Sequence, residues 1–352
     1  MSEKQEYFAA ANTGAGFVNC FDRFFDPDKL DRLYIIKGGP GTGKSATMKT
    51  VADEAERRGY EVVRCLCSSD PRSLDGVLIP ALGVGAVDGT APHATDPKYP
   101  GAVDVVLDFY PYFDVSYLRA EREKLLPLFA RCSALHKSSG KYRGFAALAK
   151  AEEISVVSSC VDAVKLRAAA ARAVSVLKGK PGAPLHRQIS AFSSRGKVTL
   201  DTYARLCKKK VAVCDEHGSA YIFMNALKEK LTERGIGFYY SCDTLLFGNC
   251  DAIFVPEDGT CFTVTGRAAD TDRSGYDRLL NMKRFIRADA ERAVRGRLRM
   301  CEKAVRTLDG EAEKLIKEAG EVHDAIEAVY KNAVDFDGVG RLRQKLIGEI
   351  FG

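Results

Sequence analysis

The sequence lacks several features that mark secreted, zinc-binding or membrane proteins. It has eleven cysteines, an odd number, and none are spaced C-x-x-C; the closest pair is Cys65 and Cys67. Zinc sites built from paired C-x-x-C units and a disulfide framework are therefore not expected. No apolar run approaches the roughly 20 residues that span a bilayer, and the first ten residues do not resemble a secretion signal. These absences predict a cytoplasmic protein with reduced thiols, most packed as small hydrophobic side chains.

The chain length and the net charge exclude few further classes of protein. A chain of 352 residues is long for one core and suits two domains. The formal net charge of +6 is modest because 53 basic residues face 47 acidic ones. Such a balance permits weak contact with nucleic acid or anionic lipid without requiring it. An ordinary surface of mixed charge is therefore the prediction.

The most specific motif is a glycine-rich loop that fits G-x-x-x-x-G-K-[ST]. Its residues are Gly38, Gly39, Pro40, Gly41, Thr42, Gly43, Lys44 and Ser45. Glycines let backbone N–H groups converge on phosphate oxygens, and the start of the following helix adds positive potential. Lys44 is expected to bind the β- and γ-phosphates and to act as a catalytic residue, and the Ser45 hydroxyl is expected to bind Mg²⁺. The motif predicts a site for a nucleoside triphosphate.

The segments that flank this loop agree with that interpretation. Residues 33–37 are apolar and predict a buried parallel strand, whereas residues 45–58 predict an amphipathic helix. Gly59 follows where a helix C-terminus favours glycine. The apolar helix face is Met48, Val51 and Ala55. Three further short strands are predicted near 61–65, 77–79 and 83–87.

A second metal ligand is expected at the end of a neighbouring strand, where it would hold Mg²⁺ through water. Asp88 is the best candidate, as both metal ligand and catalytic residue, and Asp70 and Asp75 are rivals on nearer turns. Asp88 is followed by Gly89 rather than by a second acid. Fast hydrolysis is therefore not expected unless Asp70, Asp75 or Glu54 polarises the attacking water.

After a glycine- and proline-rich linker at 179–184, the pattern of the first half starts again. Two long helices at 115–137 and 142–177 precede it, and another helical segment runs from about Arg273 to the end. A shift of 176 positions places Met48 on Met224 and Gly59 on Gly235. Met224, Leu227 and Leu231 repeat the apolar helix face. An internal duplication is the prediction, with chance matches in an unrelated helical domain as the alternative.

The predicted second copy has lost the phosphate-binding residues. The same shift places Ala220 on Lys44 and Tyr221 on Ser45, and the counterpart of Asp88 falls near Thr265. Asp215 and Glu216 would repel a triphosphate. Only one nucleotide per chain is therefore expected. Asp215, Glu216 and His217 form either a solvated polar loop or a new metal or catalytic site.

The fold prediction is α/β, with a parallel-rich P-loop module, duplicated, and a long helical segment after each copy. The predicted divisions are a nucleotide-binding module at 1–113, a helical segment at 114–180, a degenerate module at 186–270 and a helical segment at 271–352.

The whole chain resembles a group of poorly characterised bacterial ATPases with two tandem P-loop modules, within the P-loop NTPase superfamily. The resemblance is carried by the glycine-rich loop with its preceding strand and by four further segments. These begin at Tyr7 (YFAAANTG), Cys67 (CSSDP), Val87 (VDGTAPH, ending at His93) and Asp96 (DPKYPGA). The resemblance implies ATP binding at the first module and gives no substrate. ATP is also favoured over GTP because an Asn-Lys-x-Asp segment is absent.

Three functions remain open from the sequence. The first is a slow ATPase or nucleotide switch whose helical segments bind a protein partner or pack only on themselves. The second is a small-molecule kinase that uses Arg119, Arg122 and Arg131, which otherwise form a solvated helix face. The third is a nucleotide-bound scaffold without turnover.

Overall fold

The computed structural model describes residues 4–91 and 95–352, so His93 of the resemblance lies outside the described residues. The first half forms an α/β module and three helices. Its strands are β1 (Gln5–Phe8), β2 (Ala10–Thr13), β3 (Gly16–Asn19), β4 (Arg32–Lys37), β5 (Val63–Leu66), β6 (Leu74–Ile79), β7 (Val84–Asp88) and β8 (Asp104–Asp108). Its helices are α1 (Lys44–Arg57), α2 (Val115–Ala120), α3 (Arg122–Ser158) and α4 (Ala163–Ser175).

The second half repeats this series of elements. Its strands are β9 (Pro184–His186), β10 (Ser190–Ser193), β11 (Gly196–Thr199), β12 (Lys209–Cys214), β13 (Phe238–Cys242), β14 (Cys250–Val255), β15 (Thr260–Thr265) and β16 (Arg278–Asn281). Its helices are α5 (Thr202–Leu206), α6 (Ser219–Glu233), α7 (Ala288–Lys331) and α8 (Phe336–Phe351). The α/β class and the two sheet-and-helix modules are therefore confirmed.

The two six-stranded sheets have the same strand order. The first is β1-β5-β6-β7-β4-β8, and the second is β9-β13-β14-β15-β12-β16. In the first sheet, the pairs β1-β5, β7-β4 and β4-β8 are parallel, and the pairs β5-β6 and β6-β7 are antiparallel. The corresponding pairs of the second sheet have the same directions. The hairpins β2-β3 and β10-β11 also correspond. Because β4 lies between two parallel neighbours, the ends of β7, β4 and β8 meet at one edge, where the glycine-rich loop emerges.

Local sequence patterns explain the core elements of each module. The residues of β4 from Leu33 to Ile36 are buried, as expected for an apolar strand inside a parallel arrangement. The predicted helix faces are also buried, with Met48 and Met224 both fully inaccessible. Gly59 adopts φ 86°, as a residue that ends a helix in the left-handed region does.

Several predicted boundaries are wrong. The sequence YFAAANTGAGFV near the N-terminus predicts a short strand, a glycine turn and a helix, but the turn near Gly16 leads into β3 of a hairpin and short 3₁₀ segments. The predicted interruption at 138–141 lies inside α3, which ends only at Ser158. The segment after Arg273 contains β16 before α7 begins, and β8 was not predicted. Both missed strands lie beside the strand that precedes the loop of their module, so each completes its sheet.

The helical segments cross between the two modules. Helices α3 and α7 pack side by side and antiparallel, since Arg131 pairs with Glu318 and Arg143 pairs with Asp309. Helix α8 joins the core of α1 in the first module, whereas α4 joins the core of α6 in the second. Each half of the chain therefore supplies the last helix of the other module. The predicted divisions at 1–113, 114–180, 186–270 and 271–352 remain predictions, and the packing crosses them.

Two properties of the whole structure bear on the sequence predictions. All eleven cysteines are free, and eight of them are buried. In residues 4–91 and 95–352, none of the helices combines the length and apolar character that crossing a membrane requires.

Candidate functional site

The glycine-rich loop connects β4 to α1 at the carboxyl edge of the first sheet. Six residues, 38–43, separate the end of the strand at Lys37 from the start of the helix at Lys44. Gly41 and Gly43 have φ values of 68° and 94°, which side-chain-bearing residues rarely adopt. The loop therefore turns its backbone sharply just before the N-terminus of α1, where an anion is favoured.

Lys44 folds back over the loop. Its Nζ donates to the carbonyl oxygens of Gly39 at 2.6 Å and Gly38 at 3.3 Å. The same Nζ lies 3.6 Å from Oδ2 of Asp88, and the lysine is only 9% exposed. A buried ammonium is costly unless it is paired, so these contacts stabilise the lysine without a ligand. Phosphate oxygens could exchange for these partners because a primary ammonium is a mobile donor.

Asp88 ends β7 directly beside the loop, where it pairs with Ile36 of β4. Burial raises the pKa of Asp88 above its ordinary value, and the nearby Lys44 ammonium opposes that rise. Thr90 donates its backbone N–H to Asp88 Oδ1 at 2.8 Å and its hydroxyl to the Gly38 carbonyl at 3.0 Å. Thr90 was not among the predicted site residues, although an aspartate that ends a strand commonly forms an Asx turn with the backbone N–H two residues on.

The Ser45 hydroxyl accepts a hydrogen bond from the backbone N–H of Leu74 at 2.9 Å. This bond fixes the first turn of α1 against β6, and the hydroxyl oxygen keeps a lone pair that a cation could use. The structure thus brings Ser45, Lys44 and Asp88 to one edge of the sheet.

The rival acids occupy different environments. Asp70 pairs with Arg72 at 2.8 Å, and Glu54 pairs with Arg57 and Arg58 on the outer side of α1. Asp75 is buried at the irregularity between β5 and β6, and its charge contributes to the raised pKa of Asp88. Asp75 is therefore the rival that shares the electrostatic environment of the loop.

Helices from the far end of the chain cover the loop. Residues of α7 leave no room for a side chain at Gly39 or Gly41. If these glycines carried a Cβ atom, it would lie 2.6 Å from the ring of Tyr330 at Gly39 and 3.1 Å from the Glu327 carbonyl oxygen at Gly41. In addition, Arg343 Nε of α8 donates to the Thr47 hydroxyl at 3.3 Å. These contacts join residues almost 300 positions apart, and no local pattern in the sequence predicts them.

The corresponding loop of the second module carries its own anion. Asp215 accepts from the backbone N–H of Gly218 at 2.9 Å and from that of Ala220 at 2.8 Å. A carboxylate thus binds the N-terminal amides of α6, the groups that would bind a phosphate. Only four residues, 215–218, separate β12 from α6, two fewer than in the first loop.

The structure corrects the predicted alignment of this loop. Helix α6 begins at Ser219, so Ser219 rather than Ala220 occupies the place of Lys44, and Ala220 rather than Tyr221 that of Ser45. Thr265 pairs with the last residue of β12, Cys214, and so lies near the expected position. None of these side chains offers the ammonium or the carboxylate of the first loop.

His217 is not part of a solvated polar loop. Its side chain is only 8% exposed, and at φ 57° it is the one non-glycine residue with positive φ in the described part of the chain. Four carboxylates lie within 3.7 Å of its ring nitrogens: Glu153, Glu216, Glu291 and Glu302. Asp215 instead caps α6, so the candidate set of Asp215, Glu216 and His217 is replaced by one that includes residues of α3 and α7.

No protein-family model matches the chain, and no solved structure matches it. One short match is to a protein described as an ATP-dependent RecD2 DNA helicase from Deinococcus radiodurans, 62% identical over 34 residues. That match covers 10% of this chain and 5% of the helicase. It is a weak indication of nucleotide binding.

Proposed function

We propose that this protein binds Mg-ATP at the glycine-rich loop 38–45 and acts as a slow ATPase or nucleotide-dependent switch. One observation carries the proposal: a P-loop-like segment joins a buried strand to a helix, with Lys44 bonded to loop carbonyls beside Asp88. In this proposal Lys44 binds the β- and γ-phosphates, and Ser45 and Asp88 hold Mg²⁺. The short helicase match is consistent with nucleotide binding.

We also propose that the two halves arose by internal duplication. Both sheets share one strand order and one pattern of parallel and antiparallel pairs, and both modules receive a helix from the other half. The second copy would then be a pseudo-module in which Asp215 replaces a bound phosphate. One nucleotide per chain follows from this proposal.

A switch is favoured over a kinase by the contacts of the helical segments. Tyr330 and Glu327 of α7 lie against the loop glycines, so a change of loop conformation would displace these residues of α7. Of the arginines considered for a kinase, Arg131 pairs with Glu318 of α7 and Arg122 pairs with Glu123.

The free thiols fit a reducing compartment, so the proposal places the protein in the cytoplasm. A protein partner for the helical segments remains part of the proposal.

Calorimetry with ATP and GTP, with and without Mg²⁺, tests this function. Lys44→Ala should weaken ATP binding by about 100-fold, equivalent to about 2.7 kcal/mol, because it removes a charge-assisted contact to phosphate. Lys49→Ala is the matched control, because Lys49 lies on the same helix and donates only to the exposed Arg72 carbonyl. Unchanged ATP affinity in a folded Lys44→Ala protein would disprove the assignment.

Phosphate release then separates the remaining alternatives. Slow release from ATP alone, accelerated by a protein partner, is expected for the ATPase or switch. ADP formation that depends on a small-molecule acceptor would instead identify a kinase, and binding without release would identify a scaffold.

A further inference from the structure

A second polar site lies at the loop of the second module. Glu153 of α3, His217 of the loop and Glu302 of α7 each present one ligand atom, and these atoms all lie within 4.8 Å of one another. They line a cavity of about 470 Å³. From this arrangement we propose that His217, Glu153 and Glu302 bind a divalent transition-metal ion of the Zn²⁺ class.

The spacing of the ligand atoms supports a tetrahedral ion. With metal–ligand distances of about 2.0–2.2 Å, neighbouring ligands in a tetrahedral site lie roughly 3.3–3.5 Å apart. Nδ1 of His217 is 2.9 Å from Oε1 of Glu302 and 3.7 Å from Oε1 of Glu153, values that lie on either side of that separation. The two glutamate oxygens lie within 4.8 Å of each other, so side-chain adjustment around the ion would complete the geometry, with the fourth position open to the cavity.

The histidine itself points to a missing partner. Nδ1 of His217 is buried and makes no hydrogen bond within the described residues, although Oε1 of Glu302 is only 2.9 Å away. The carboxylates surround this nitrogen, and Glu153 above all raises the pKa of His217, so the ring favours a proton when no ion is bound. A metal ion shared with the carboxylates would replace that proton.

The surrounding charges are suited to such an ion. Nε2 of His217 lies 3.6 Å from both Glu216 and Glu291, which could accept its N–H and fix the ring, as carboxylates commonly do for metal-binding histidines. Lys150 binds Oε2 of Glu153 and leaves Oε1 available. Immediately around His217, four carboxylates face two cations, Lys150 and Arg267, whereas Lys197 and Arg306 line the cavity beyond them.

Arg267 is the competitor for the ion. Its Nη2 lies 2.6 Å from Oε1 of Glu302, the same oxygen that faces His217. Because the Arg267 side chain is 47% exposed, it can move into solvent when an ion binds. Removing this guanidinium should therefore strengthen metal binding.

The test is a Zn²⁺ titration of the full chain by calorimetry after treatment with EDTA and without nucleotide. We expect one ion per chain and a loss of about 100-fold in affinity in His217→Asn, a substitution chosen because asparagine tolerates positive φ. Glu153→Gln should also weaken binding, and Arg267→Gln should strengthen it several-fold. Glu311→Gln is the control for the glutamate substitution, since Glu311 also lies on α7 but pairs with Lys314, away from His217.

Replacing Zn²⁺ by Co²⁺ distinguishes this site from the free cysteines. Binding to His217 and the two glutamates should give a visible spectrum without a sulfur-to-metal charge-transfer band, and His217→Asn should abolish it. The proposal is overturned if the wild-type protein binds no ion, if both His217→Asn and Glu153→Gln bind with unchanged affinity, or if the wild-type Co²⁺ spectrum is that of a thiolate site alone and is the same in His217→Asn.

Discussion

The two loops differ in chemistry although they stand on the same scaffold. Each follows the same strand of an identically ordered sheet and leads into a helix whose apolar face is buried. In the first module, no side chain caps α1 in the described part of the chain, and Lys44 supplies positive charge. In the second, the side chain of Asp215, a residue of the loop itself, accepts from the backbone N–H groups at the start of α6. A carboxylate of the chain itself can thus accept hydrogen bonds from the unpaired backbone N–H groups at a helix N-terminus, which would otherwise favour a bound anion.

The largest effects should come from the helices that each half supplies to the other module. Leu346 belongs to the buried apolar cluster of Met48 and Val51 in the first module, and Leu166 belongs to that of Phe223 and Met224 in the second. Both Leu346→Ala and Leu166→Ala should lower the free energy of unfolding by about 2–5 kcal/mol. Only Leu346→Ala should also reduce ATP affinity, because only α8 supports the helix that follows the first loop.

Urea denaturation measures the loss of stability, and calorimetry at a temperature where both variants are folded measures ATP affinity. Equal losses of ATP affinity in the two variants would show that the second module is as important for nucleotide binding as the first.

A smaller effect is expected at the strand ends, where the two modules carry Asp88 and Thr265. Asp88→Asn should weaken Mg-ATP binding by about 10- to 100-fold while leaving binding in EDTA nearly unchanged, because in the proposed function the carboxylate acts through Mg²⁺. Thr265→Val is the matched variant and should change neither value. If Asp88→Asn has the same effect with EDTA as with Mg²⁺, its role is structural, and Asp75 becomes the metal candidate.

The smallest effect should follow from removing the internal cap. Asp215→Ala should destabilise the protein by about 0.5–2 kcal/mol because it leaves the amides of Gly218 and Ala220 without their acceptor. Inorganic phosphate should restore part of that stability in Asp215→Ala and little in the wild type, as followed by thermal denaturation. An Asp215→Ala protein with unchanged stability would show that the cap contributes nothing, and the comparison of the two loops would then lose its physical basis.

Local features of the sequence predicted local structure well. The strand, loop and helix around Lys44 follow from an apolar run, a glycine pattern and a 3.6-residue period, all contained within about 30 residues. The continuity of α3 was missed because Ser139 and Gly140 look like a helix break. In the structure, the Ser139 hydroxyl donates to the Ala312 carbonyl of α7, and this tertiary packing overrides the weak local preference.

The surroundings of both loops could not be predicted. Glu153 and Glu302 reach His217 from helices 64 and 85 positions away in the sequence, and Tyr330 reaches Gly39 from still farther. A one-residue error in aligning the second loop arose because that loop is shorter, which a constant shift of 176 cannot represent. Contacts set by topology leave no periodic signal in the chain.

The exchange of terminal helices also constrains the order of folding during synthesis. The core of the first module contains Val339 and Leu346, so residues made early cannot complete their packing until α8 has left the ribosome. Until then the apolar face of α1 lacks part of its cover, and contacts that span almost 300 residues slow the final step. The proposed nucleotide site should therefore mature only after α8 is synthesised, although the glycine-rich loop precedes α8 by almost 300 residues.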